Sequence, residues 1–356
     1  MTVGAVATRI PGPRALLAAA DVVASTALRQ VALLAPGAPV RLQTSPSLGG
    51  PDLWSVRGRV LVRPPAGESL AVLGQLLALG VPGAVVGVSV PGERRERPAV
   101  CDGEGAWQVD LTPRADLVVG GRARLTCRLL ALPGRRVTGP VTAQAEVHVA
   151  GPRSQVLLVS DVDDTVLPTG VRGWEALRST VLTSDERRPP VSGVAALYRD
   201  LVAGPSGEEV NPVVYLSASP WTLTDLLRGY LARHGFPDGA LELADRVPEP
   251  GRLARPAAGP RSSKAERLDA LLEALPDLSV VLVGDSGQHD AEVYAEAVRR
   301  RPGRVRAVAL RRLGPLRGSV AAALADVRAA GVPVAVGVDG DGLRPVLAAA
   351  GLVGSR

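Results

Sequence analysis

The sequence predicts an α/β fold from residue 151 onward, a doubly wound and mostly parallel sheet, preceded by a small antiparallel β-sandwich and an N-terminal helix. Two observations carry this reading. After Gly151-Pro152, short and fully apolar strand candidates alternate with helical patterns, the grammar of a parallel sheet covered on both faces. Before that point the text is a run of short alternating strands separated by turn signals. A hydrophobic fraction of 46% against 21% charged residues is enough to bury such cores and excludes disorder throughout.

Taken in order, Ala15–Ala35 places Leu16, Ala20, Val23, Ala27, Val31 and Leu34 at helical spacing, with Asp21 and Arg29 interrupting the apolar run. This is an amphipathic helix with a packed stripe, not a span. Residues 36–51 are rich in Pro, Gly and Ser and read as a linker. Strand candidates follow at Ser55–Arg63, Ala84–Val90, Ala106–Leu111, Ala123–Leu130 and Val141–Val149, with a short helix at Glu68–Leu79. The uncharged stretch Ser69–Gly92 is too short to cross a membrane on either side of Gly80-Val81-Pro82-Gly83. The expected division is therefore residues 1–50 (helix and linker), 51–150 (β-sandwich) and 151–356 (α/β). Within the last, strands are expected at Val156–Ser160, Val213–Leu216, Val280–Val283, Val305–Leu310 and Val334–Val338. Helices are expected at Gly193–Val202, Leu223–His234, Lys264–Leu275, Ala291–Arg300 and Ser319–Ala330.

The net charge of +6 has an unusual source. Of 41 basic residues only Lys264 is lysine, and the other 40 are arginine. Such a skew is a compositional habit spread along the chain, and no nucleic-acid reader motif accompanies it, so no nucleic-acid partner is expected. Attraction to anionic lipid is the more useful reading of the excess. Cys101 and Cys127 form no CxxC pair and no zinc spacing, and both are expected as small buried side chains. Without a compact signal peptide near Arg14, a cytoplasmic location is expected.

In parallel sheets the ligand sits outside the carboxyl ends of the strands. Asp161-Val162-Asp163-Asp164-Thr165 follows VLLVS, Ser217-Ala218-Ser219-Pro220-Trp221 follows VVYL, and Gly284-Asp285 through Asp290 follows VVLV. A phosphomonoester carries about two negative charges, so a carboxylate reaches it only where a cation offsets the field. Magnesium supplies this with one or two carboxylates, phosphate and water in its shell. Asp161 is then the candidate nucleophile, and Asp163, two residues on, the proton donor and later the base. Ser217 and Lys264 would hold and neutralise the transferring group. Asp161, Asp163, Asp285 and Asp290 are the candidate metal ligands, and Thr165, Ala218 and Trp221 the further candidates for substrate contact.

Each has a plainer reading. DVDD is also the text of a solvated loop or a calcium turn, and Ser217 that of a helix cap. Asp290 is either a metal-side carboxylate or the N-cap of Ala291–Arg300. Trp221 lines an entrance or plugs the core, His289 is a structural donor, and Asp339-Gly340-Asp341-Gly342 is a turn. Lys264 argues for the sharper reading, since a solvated cation in this chain is elsewhere arginine.

Asp161-Val-Asp-Asp-Thr, Ser217, Lys264 and Gly284-Asp285…Asp290 resemble, in order, the four signature motifs of the haloacid dehalogenase superfamily. More narrowly, DVDDTVLPTGV (161–171), YLSASPWTL (215–223) and GDSGQHDAEVY (284–294) resemble the catalytic domain of the actin-patch-protein type of phosphatidate phosphatase, distantly related to lipins. The resemblance covers roughly 151–312. It implies a Rossmann-like phosphatase fold, magnesium as cofactor, and a phosphatidic-acid-like substrate at a membrane surface. One departure is visible: Ser263 stands before Lys264 where relatives often carry histidine.

Neither the interval 161–217 nor 217–264 has room for a large cap domain, which favours bulky substrates. Hydrolysis of phosphatidate to diacylglycerol through an aspartyl-phosphate is thus the leading expectation. Its rivals are a soluble or protein phosphomonoester as substrate, and a scaffold with a vestigial phosphatase domain.

Overall fold

A computed structural model describes residues 39–62, 79–167, 189–244 and 260–354. The expected helix at 15–35, and 68–78 of the helix expected at 68–79, lie outside these residues.

Residues 40–149 build two sheets over one core. The first joins β1 (Val40–Ser45), β3 (Trp54–Val62) and β4 (Leu79–Gly80), with β7 (Ala106–Leu111) on the other side of β3. The second runs β2 (Ser47–Gly49), β10 (Thr142–Val149), β9 (Arg122–Ala131), β5 (Val85–Ser89) and β6 (Arg97–Val100), with β8 (Val118–Val119) against β9. Strand period 2 does the sorting: on β9, Ala123, Leu125, Cys127 and Leu129 face inward while Arg124, Thr126 and Arg128 face out. These meet Trp54, Val56, Val60, Val86, Val88, Trp107 and Val147 in a single apolar cluster. Both cysteines are buried there and unpaired, and burial raises both thiols. Gly58 has a steric reason, because a Cβ would strike the Gln43 carbonyl and the Trp107 ring.

The linker reading of 36–51 fails. Its second half forms β1, paired with β3 over its full length from Val40↔Val62 to Ser45↔Arg57, and β2. Pro and Ser hid the strand, and the pairing that stabilises it is not local in sequence.

From 156 onward a six-stranded parallel sheet runs in the order β13-β12-β11-β14-β15-β16. These strands are β11 (Val156–Ser160), β12 (Val213–Pro220), β13 (Ala240–Ala244), β14 (Ser279–Asp285), β15 (Val305–Arg311) and β16 (Val334–Gly337). Successive side chains serve opposite faces, which is why the strands are apolar throughout. Leu158, Val213, Tyr215, Val281 and Val283 pack against α1 (Val194–Ala203), α2 (Thr224–Arg233) and α6 (Gly340–Ala349). Leu157, Val159, Val214, Leu216 and Leu282 pack against α3 (Pro260–Ala274), α4 (Asp290–Arg300) and α5 (Gly318–Ala329). The chain is thus mixed α/β, with parallel and antiparallel sheets.

Two elements of the α/β region escaped the sequence. Residues 240–244 (ALELA), assigned to no element, form strand β13, paired with β12, and the Leu241 amide donates to the Pro46 carbonyl at 2.9 Å. Asp339-Gly340-Asp341-Gly342 is not a turn but the start of α6: Asp339 is the N-cap and its carboxylate accepts from the Gly342 amide at 2.9 Å.

His148 on β10 is buried with Nε2 unpartnered. Burial lowers its pKa from 6.5 to about 4, while Glu146 raises it and Arg122 lowers it. As pH falls below 6.5, protons therefore bind the unfolded chain first, and stability is lost down to about pH 4. Between pH 7 and pH 5 the wild type should lose about 2 kcal/mol more stability than His148→Leu. Urea denaturation of both proteins at the two pH values measures this, and equal losses would rule it out.

Candidate active site

The site assembles from the ends of β11, β12 and β14 and from the helices α3 and α4. Strand β11 delivers Asp161, buried and held by its own amide, which donates to the Val283 carbonyl of neighbouring β14 at 2.8 Å. Strand β14 delivers Asp285, also fully buried. The loop after it turns directly into α4, placing Asp290 in the first turn with His289 as the N-cap residue. Gly284 permits this, because a Cβ there would collide with the Asp290 carboxylate. Helix α3, on the same face of the sheet as α4, brings Lys264 to these strand ends.

Lys264 Nζ donates to Asp161 Oδ1 at 2.6 Å and also to Asp290 Oδ1. Asp290 Oδ2 accepts from the Asp285 amide at 3.0 Å, so both its oxygens are spent inside the site. Its N-cap reading is thereby replaced. Asp285 Oδ1 accepts from the amides of Gly287 and, at 3.1 Å, Gln288. Asp161 Oδ2, Asp285 Oδ2 and Thr165 Oγ1 are buried without a hydrogen-bond partner. One oxygen from each of Asp161, Asp285 and Asp290 lies within 4.8 Å of the others.

Three carboxylates around one ammonium leave an excess of negative charge, and the acidities register it. Burial lifts Asp161 well above the usual carboxylate range; Lys264 pulls it down, but Asp290, Asp163 and Asp285 push it up. Burial and then Asp290 raise Asp285 to about 7. Burial works against the charge on Lys264, yet Asp161 and Asp290 overcome it and hold the ammonium firmly protonated. Unpaired, buried, all-oxygen donors of this kind suit a hard divalent cation.

Asp163 is placed apart from those three. Its Oδ2 accepts from Ser217 Oγ at 3.0 Å and Ser219 Oγ at 3.2 Å, and Ser217 Oγ accepts from the Ser219 amide at 2.9 Å. Burial raises its pKa, and the two serine hydroxyls only partly offset this. The expected grouping of Asp163 with the three metal-side carboxylates is thus not what its side chain adopts, because the paired serines hold it on the β12 side. Asp164 follows in the left-handed region at φ 57°, a conformation an Asp tolerates and functional turns often hold. Ala218 is exposed at the edge, and Trp221 is buried.

Several contributors were missed in sequence. Ser219 shares the Asp163 carboxylate. Arg267, one turn beyond Lys264 on α3, donates to the carbonyls of Ser217 at 2.9 Å and Glu242 at 2.8 Å, tying β12 to β13. Arg311 at the end of β15 donates to the Asp164 carbonyl. Arg59 of β3 lies over the Trp221 ring at 4.1 Å. An arginine-rich sequence gives no signal by which these could be told from the rest.

Residues 156–312 match the family of the phosphatidate phosphatase APP1 catalytic domain. Phosphatidate phosphatase APP1 of Saccharomyces cerevisiae is 29% identical over 157 residues, covering 43% of this chain and 25% of that protein. An uncharacterized protein of Schizosaccharomyces pombe is 27% identical over 171 residues, 45% of this chain and 25% of its own length. The chain thus spans about a quarter of the length of the curated relatives it matches. Among solved structures, EndoBT-3987 of Bacteroides thetaiotamicron overlaps 84% of this chain and 89% of its own at 10% identity and a TM-score of 0.23. Bifidobacterium dentium beta-glucuronidase overlaps 84% and 53% at 12% identity and 0.27. Overlaps at that score carry no argument about the fold. The segment 156–312 thus resembles, by its sequence match, the catalytic domain of the APP1 type of phosphatidate phosphatase.

Proposed function

We propose that this chain is a magnesium-dependent phosphomonoester hydrolase of the haloacid dehalogenase type, acting on phosphatidate at the cytoplasmic surface of a membrane and working through an aspartyl-phosphate on Asp161. The observation that carries the reading is the buried Asp161, with one oxygen on Lys264 and the other unpartnered beside Asp285 and Asp290. Its position at the carboxyl end of a central parallel strand suits the fold type. The family match to residues 156–312 supports phosphatidate as substrate.

Asp161, Asp285 and Asp290 would hold the magnesium, which when bound offsets the charge of the phosphate against that of the carboxylates. Lys264 and the unpartnered Thr165 hydroxyl would bind phosphoryl oxygens. The free oxygen of Asp161 forms a bond to phosphorus as the ester bond to the alkoxide breaks. Asp163 gives its proton to the departing oxygen, releasing diacylglycerol; burial, which raises its pKa, favours the protonated form that this step needs. Asp163 then takes a proton from water, whose oxygen attacks phosphorus and frees both Asp161 and inorganic phosphate. Ser217 and Ser219 fix the Asp163 carboxylate throughout.

Phosphate release from phosphatidate in mixed micelles should require magnesium and stop on chelation. Full activity of metal-free protein in excess EDTA would overturn the reading.

Lys264→Met should lower stability in EDTA by about 3–5 kcal/mol, because it strands buried carboxylates. Added magnesium should restore part of that loss in urea denaturation, and no response to the ion would remove these three acids as its ligands.

Asp161→Asn should abolish turnover and form no phosphoenzyme. Asp163→Asn should lose about 10²–10⁴-fold in phosphatidate turnover. It should still acquire hydroxylamine-labile label from p-nitrophenyl phosphate, whose leaving group needs little protonation. Label in Asp161→Asn but not in Asp163→Asn would exchange the two roles.

A further inference from the structure

Seven large hydrophobic side chains are conspicuously exposed among the described residues, and three of them share one rim. Leu313, Leu316 and Val338 stand on the loops that leave the carboxyl ends of β15 and β16. In a parallel sheet these loops leave by the same edge as Asp161 and Asp285. The Arg312 amide donates to the Gly337 carbonyl at 2.7 Å, joining the two loops. The Leu313 amide donates to Ser286 Oγ at 3.0 Å, and Arg317 Nη2 to the Gln288 carbonyl at 2.6 Å, so the first loop rests on the acidic loop of the site.

The composition of this rim is specific. Every residue from Arg312 to Ser319 is exposed, in the order Arg-Leu-Gly-Pro-Leu-Arg-Gly-Ser. Two leucines thus flank a Gly314-Pro315 turn and are themselves flanked by arginines. The Arg312 guanidinium makes no hydrogen bond or ion pair among the described residues. Asp339, beside Val338, uses one carboxylate oxygen to cap the Gly342 amide at 2.9 Å. A projecting loop of apolar residues bracketed by cations suits a fluid anionic interface, where leucine enters the acyl boundary and arginine meets phosphate. A protein partner would more often meet a broad apolar patch, whereas only three large apolar side chains are exposed along this rim.

We propose that residues 312–317 together with Val338 form a docking rim for an anionic phospholipid surface, which turns the acidic pocket toward the bilayer. The rim's orientation role rests on the lipid-phosphate reading of that pocket; its affinity for the surface does not. Leu316 and Val338 supply the apolar contact, Arg312 the preference for anionic headgroups, and Arg317 braces the loop against the site.

The test uses the full chain and vesicles free of any phosphomonoester: phosphatidylcholine alone, or with about 30% phosphatidylglycerol to set a negative surface potential. The wild type should cosediment with the mixed vesicles and be released by salt. Leu316→Ser/Val338→Ser, which spares Leu313 because that side chain also packs beside Gly287, should lower the partition coefficient about tenfold or more. Arg312→Gln should erase the preference for the anionic vesicles. Both variants should hydrolyse p-nitrophenyl phosphate at the wild-type rate. Wild-type protein that ignores both vesicles overturns the inference and leaves the rim to a protein partner. Unchanged binding by the double variant overturns it too, as does a parallel loss of soluble-ester hydrolysis, which would make these residues structural. A chain that binds the vesicles through these residues but frees no phosphate from phosphatidate removes the substrate reading and leaves the docking rim standing.

Discussion

One lysine among three buried carboxylates sets the terms for the rest of the α/β region. At an effective dielectric near 20, two unit charges about 4 Å apart interact by about 4 kcal/mol, so a single ammonium cannot balance Asp161, Asp285 and Asp290 together. Burial first, and then this surplus, raises the Asp161 and Asp285 pKa values, and one oxygen of each is left without a partner. Such a cluster persists only where rigid elements hold it. Here β11 and β14 are paired through five consecutive residues and buried on both faces, and α3 and α4 each bring one charge to their shared edge. The same imbalance that is a liability in the folded chain is what gives a divalent cation a reason to bind.

The composition makes sense of Lys264 in a way the sequence could only hint at. One nitrogen serves two carboxylates from different elements, Asp161 and Asp290. A planar guanidinium favours a single carboxylate presented edge-on, whereas an ammonium on a flexible stem can sit between two that are not coplanar. At Arg267, one turn along the same helix, the targets are two backbone carbonyls at a partly buried boundary, and there the chain reverts to arginine.

What was legible in the sequence followed from burial. Strands covered on both faces are written as unbroken apolar runs, so Val156–Ser160, Val213–Leu216 and Val280–Val283 declared themselves, and the polar residues after them marked the pocket edge. Strand β13 did not, because ALELA has helical propensity and owes its extended form to β12 on one side and Pro46 on the other. Strand β1 was hidden for the same reason, its pairing with β3 being stronger than the local text around it. Asp163 was legible as a participant but not in its setting. That two serines would claim its carboxylate depends on the path of β12 through Pro220, which no local pattern encodes.

The contacts between the β-rich region and the α/β sheet give the site two unlike sides. Gln43 and Arg41 reach Asp225, Arg57 reaches Glu242, Glu146 reaches Arg228, and Arg59 lies on Trp221. All of these partners lie between Trp221 and Glu242, directly after the segment that carries Ser217 and Ser219. Each exposed pair alone is worth little, but Arg59 and Trp221 are both buried, and a desolvated cation–π contact of that kind contributes about 2 kcal/mol. The serine side of the pocket is thus braced from outside the sheet. The opposite side ends in the exposed loop after β15, tied to the acidic loop by Arg317 and Ser286. On the proposed reading, a braced wall would keep Asp163 in register for proton transfer while the exposed loop opposite meets the surface from which the substrate comes.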